Sequence, residues 1–236
     1  MRVLGHVAAL SLLLLPAIRP AAAQSTFDPT RLPATTGRVA QYSLTPRGDV
    51  DGLILDDGTE VHLPPHLGPQ LVQLLRPGDT AVVHGLRARG VPMVQAASVT
   101  NPVTSRTLTE NGDPAPSPLQ APGPLQALGV AGELKEGMSA SGAVKSRLHG
   151  PKGDLNGVLL ADGTIVRLPP REASRLADRL QPGLTLAVRG SGVSGPLGRV
   201  VAADMVGPDP DHLLPLPGEP RPGPPRPPAP PPAPPR

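Results

Sequence analysis

The stretch DGTEVHLPPH occupies residues 57–66, and DGTIVRLPPR returns at residues 162–171, 105 positions later, with two histidines exchanged for arginines. Each reads as a turn, a strand and a stop. Asp57-Gly58 predicts a two-residue hairpin loop of type I′, because glycine, and aspartate more reluctantly, accept positive φ. Residues 59–63 alternate, with Val61 and Leu63 on one face and Glu60 and His62 on the other. Pro64-Pro65 ends the strand, since proline cannot donate to a ladder, and Pro65 suits the first turn of a helix.

Working outward, residues 37–85 align with 142–190 without a gap, and about 21 of 49 positions match. The chain therefore reads as a duplicated domain. Within one copy, residues 37–44 and 50–55 are predicted strands that precede the hairpin. Leu67, Leu71, Leu74 and Leu75 share one helical face after it, as do Ala173, Leu176, Ala177 and Leu180 in the second copy. Pro77-Gly78 stops the helix, and residues 80–85 and 93–99 are a fourth and a fifth strand.

The order β-β-β-α-β-β resembles the OB-fold, a five-stranded Greek-key barrel. More narrowly, GDVDGLILDDGTEVHLPPHLG followed by RPGDTAVVHG resembles a group of exported bacterial OB-fold proteins, mostly uncharacterised. The expected class is mainly β, with two OB-like barrels. An SH3-like small barrel competes, but it has no helix of this length. A domain of about 64 residues buries only about 60% of its unfolded surface, so docking of one barrel on the other is plausible.

Composition places the rest. The chain has 36 prolines, 27 glycines and no cysteine, and 15 of its last 30 residues are proline. Arg2, an apolar run over residues 7–18 and Ala21-Ala22-Ala23 read as a secretory signal peptide. The run is too short for the ~20 residues that span a bilayer, which argues against an uncleaved anchor. The expected division is a signal peptide at 1–23, a flexible arm at 24–36, a first OB-like domain at 37–100 and a Pro/Gly/Ala-rich linker at 101–141. A second domain follows at 142–206, then a proline-rich disordered tail at 207–236. The expected location is periplasmic or secreted, with no transmembrane segment after cleavage and no disulfides.

Net charge of +3 falls to about +1 once Arg2 and Arg19 leave with the signal, too little for a global field that gathers polyanions. The local distribution differs. The second domain has nine Lys and Arg against five Asp and Glu, and the first has five against six. Every histidine of the first domain is arginine in the second: His62 aligns with Arg167, His66 with Arg171 and His84 with Arg189. His62 and His84 are expected on outward strand faces. A metal reading fails because strands three and four run oppositely and place these two at opposite rims, so no metal or other cofactor is expected.

Anion binding fits the exchange better, since arginine is always charged and histidine only below about pH 6.5. Arg171, Arg175 and Arg179 fall at i, i+4 and i+8, a basic stripe on one helix face. The anion-binding candidates are Arg167, Arg171, Arg175, Arg179 and Arg189, with His62, His66 and His84 as pH-dependent counterparts. Candidate partners are an anionic polymer or an envelope protein. Single-stranded nucleic acid is disfavoured: bases stack on aromatics, and Tyr42 is the only aromatic in either domain. No catalytic motif is present, and Asp49, Asp56 and Asp57 occupy turn positions, so a non-enzymatic binding module is expected, with a structural scaffold as the alternative.

Overall fold

The structure, a computed structural model, describes residues 28–110 and 132–217. The expected signal peptide, the start of the arm, the middle of the linker and the end of the tail lie outside the described residues. The chain is mainly β. Its first sheet contains β1 (Ala34–Leu44), β2 (Val50–Leu55), β3 (Glu60–His62), β4 (Thr80–Arg87), β5 (Met93–Asn101) and β6 (Arg106–Thr109), with α1 (Gly68–Leu74) between β3 and β4. β1 pairs with β2 and β4, β2 with β3, and β5 with β4, all antiparallel, while β3 runs parallel to β5. These pairings close a five-stranded barrel, and β6 extends the edge of β5.

The second sheet contains β7 (Glu133–His149), β8 (Leu155–Leu160), β9 (Ile165–Arg167), β10 (Thr185–Gly195), β11 (Gly198–Gly207) and β12 (Leu214–Pro215). A short α2 (Pro170–Arg175) and a 3-10 turn (Ala177–Leu180) lie between β9 and β10. It contains the same set of pairings, including a parallel β9–β11 ladder and an antiparallel β10–β11 ladder.

The hairpin differs from expectation. Gly58 N–H donates to Leu55 O at 2.9 Å and Leu55 N–H to Thr59 O at 2.9 Å, so three residues form the loop. Gly58 has φ 83° and Gly163 φ 86°, while neither Asp57 nor Asp162 has positive φ. A three-residue loop ending in a left-handed glycine replaces the type I′ turn. Asp57 and Asp162 instead accept from the backbone N–H of Thr59 and Thr164, each at 2.9 Å. Gly52 and Gly157 are required for another reason: a Cβ there would overlap the carbonyl oxygens of Val61 and Val166 on the paired strand.

Several elements run past the expected limits. β1 starts at Ala34, β7 starts inside the expected linker, and β6 lies wholly within it. The leucine face of the helix is as expected, with Leu71, Leu74 and Leu75 buried, but a 3-10 turn at Pro65–Leu67 precedes α1. Among the described residues no helix is long and apolar enough to cross a membrane.

The aromatic residue of the two domains is structural. Tyr42 is buried and its hydroxyl donates to Leu75 O at 2.7 Å, closing the end of α1. Burial pushes its pKa up to about 12. The residue 105 positions on, Arg147, does the same work: its guanidinium donates to Ala177 O at 2.6 Å and Leu180 O at 3.3 Å. Tyr42→Phe should therefore lower stability by about 1–2 kcal/mol in urea denaturation, since the Leu75 carbonyl loses its buried donor. An unchanged midpoint would contradict this assignment.

Candidate functional site

Alternation places Val61 and Val166 inside their own sheets and turns Glu60, His62, Ile165 and Arg167 outward. The outward side is not water. His62 is 3% exposed and Arg167 6%, because the two sheets pack against each other there. Leu148, Leu159, Ile165, Val193 and Val200 of the second sheet join one apolar cluster with Leu44 and Ile54 of the first. Burying side chains of this size contributes about 1.5–3 kcal/mol each, an upper bound for this use.

Arg167 spans the junction. Its Nε donates to Leu44 O at 2.9 Å, one Nη donates to Ser43 Oγ at 2.9 Å and the other to Asn156 Oδ1 at 3.0 Å. Asp51 Oδ2 lies 3.4 Å from the guanidinium. The expectation that Arg167 faces water as an anion ligand is therefore corrected: its donors are spent on the neighbouring sheet and on Asn156 of its own. Alternation tells which face of a strand a residue occupies, and it is silent on what covers that face.

His62, the residue aligned with Arg167, lies beside a second polar centre. The Glu60 carboxylate accepts the His149 backbone N–H at 2.8 Å and bonds His149 Nδ1 at 2.7 Å. An ionised carboxylate only accepts, so His149 carries its proton on Nδ1. His62 Nε2 stands 3.7 Å from Glu60 Oε2 and adds attraction without a hydrogen bond. Burial works against the charge on Glu60, but hydrogen bonding from His149 and the nearby His62 outweigh it and hold the carboxyl below its usual value.

The junction is reciprocal. Leu44 and His149 are 105 positions apart, as are His62 and Arg167, and each pair contributes one residue from either sheet. A Cβ on Gly48 would meet the Val193 side chain, and one on Gly153 would touch Val91 at 3.9 Å, so each β1–β2-type turn reaches over the other sheet's β4–β5-type hairpin. Such mutual contact is the geometry of an isologous, two-fold interface.

The remaining candidates are scattered. His66 is exposed on the 3-10 turn and His84 is half-buried on β4, so neither meets His62. Among the described residues, no group of three or more His, Asp or Glu is placed to hold a metal ion. Arg171, Arg175, Arg179 and Arg189 are exposed. The expected continuous stripe is divided, because α2 ends at Arg175, and Arg179 sits on the separate 3-10 turn. Arg175 is paired with Glu172 at 3.0 Å. Arg179 borders an open cleft of about 430 Å³ lined mostly by apolar side chains, among them Leu176, Leu184, Leu186 and Val206. The sequence reading missed both this cleft and His149. Leu184 was the available signal for the cleft, since it replaces Asp79 at an exposed position.

Chemically, the junction is sealed and holds the sheets together, while the cleft and its arginines are accessible. No protein-family model matches the chain, and no curated protein matches it.

Proposed function

We propose that the protein is an exported, non-enzymatic binding module in which two OB-like barrels act as one body and the helix side of the second barrel takes an acidic partner. The observation that carries this reading is the exposure of Arg171, Arg175 and Arg179, the last of them lining the cleft, where the first sheet has His66, Gln70 and Leu74. The OB-like reading of both barrels rests on the shared strand order and pairings and on the position of the helix. Export rests on the N-terminal sequence. With Arg167 occupied, the anion-facing set reduces to Arg171, Arg175 and Arg179, with Arg189 exposed on β10. With Tyr42 enclosed, base stacking has no platform, which weighs against single-stranded nucleic acid.

The test is a titration with inorganic polyphosphate. Binding should weaken steadily as salt rises, and the triple variant R171Q/R175Q/R179Q should lose most of it. Binding that ignores salt, or a triple variant that binds like the parent, would overturn the reading in favour of a structural envelope scaffold. That second reading is favoured by the tight junction, which would suit a spacer.

A further inference from the structure

The two sheets finish differently at the end where the helix packs. In the first, β6 runs back along β5 with Leu108 opposite Val99, and Leu108 is buried against the core. Asn101 Nδ2 donates to Leu74 O at 3.0 Å, and Leu74 itself is buried. In the second sheet the corresponding return strand, β12, has two residues, and Leu214 opposite Val206 is 64% exposed. Arg179 stands where Leu74 stands, and Leu184, 45% exposed, replaces Asp79. Leu214, the counterpart of Leu108 by register, leaves this place unfilled, although Leu216 packs against the second core, and the cleft beside Arg179 lies there.

We infer that this cleft binds an extended, acidic peptide segment of a partner protein, which inserts a leucine-like side chain as β6 inserts Leu108 and sets a carboxylate against Arg179. The inference rests on the function proposed above and names its partner. Two observations choose the occupant. The first sheet shows a leucine on an extended strand filling the equivalent place, with Glu110 two residues further on. Arg179, the cation that lines the cleft, calls for negative charge and is in no ion pair among the described residues. A mostly apolar concavity with one directing polar group is the common form of a recognition site. Leu184, exposed at its rim, gains by being covered.

The probe is a fluorescein-labelled peptide carrying the sequence of residues 107–110 between two aspartates on each side, with a control in which serine replaces the leucine at equal charge. Saturable binding of the leucine peptide is expected, weakened at least about tenfold in the control and in Leu184→Asp, and a few-fold in Arg179→Gln. Leu184→Asp restores the residue type of the first sheet at an exposed position, and circular dichroism checks its fold. Equal binding of both peptides would overturn the inference. If polyphosphate binding then still depended on the arginines, the proposed function would survive it. Loss of both would remove both. Self-association of the protein that Leu184→Asp abolishes would assign the cleft to a second copy and also overturn the inference.

Discussion

Replacing Arg167 by methionine should lower the stability of the protein by about 3–5 kcal/mol, the cost of removing one member of a buried ion pair. Methionine keeps much of the volume, so the loss comes from polar groups. Leu44 O and Ser43 Oγ each lose a donor, and Asp51, whose Oδ1 already lacks a hydrogen-bond partner, loses the guanidinium beside it. Lysine at 167 should recover only part of this, because a single ammonium cannot reach four partners arranged around a planar fork. The measurement is urea denaturation at neutral pH. A methionine variant within about 0.5 kcal/mol of the parent, the range of ordinary surface changes, would place Arg167 in solvent.

The second large effect is pH-dependent. Glu60 has a folded-state pKa below its ordinary 4.5. Its charge therefore stabilises the fold fully at pH values above the unfolded value, and the contribution is lost as pH falls through the folded value. Glu60→Gln should cost about 1.5–3 kcal/mol at pH 7, since glutamine accepts one bond from His149 but offers no charge. The parent should lose stability as pH drops below the ordinary 4.5 of a glutamate, and the variant should lack that component, so the two curves converge in acid. Parallel curves over that range would show that Glu60 is not ionised in the junction.

How much of this was legible follows from the kind of information each feature needs. The hairpin, the Pro-Pro stop and the leucine face of the helix are local, and residues 57–75 state them directly. The turn type was misread because aspartate before glycine serves both a two-residue and a three-residue loop, and only the pairing of Leu55 with Thr59 separates them. The length of β7 is not local. Glu133, Leu134 and Lys135 are strand because Ser194, Val193 and Gly192 of β10 lie beside them, and nothing in ELKEGM announces it. The junction left a trace that alternation obscured. Leu53-Ile54-Leu55 and Val158-Leu159-Leu160 put apolar residues on both faces of their strands, the mark of a strand covered on both sides. Ile54 and Leu159 are 2% exposed for that reason. The trace names no partner. His149 is 89 residues from Glu60 and aligns with a leucine, so the pair had no signature in either copy. The histidine-to-arginine exchange was visible from the start, but its meaning depended on which of the three positions the second sheet covers.

The central claim is that the two sheets form one body through Glu60, His149 and Arg167. Residual dipolar couplings from weakly aligned protein at pH 7 test it most directly. A single alignment tensor should fit the amides of residues 34–109 and 133–207 together, and Arg167→Met should split it into two. Two unrelated tensors in the unmodified protein would contradict the account, because sheets that tumble separately cannot keep those side chains buried between them.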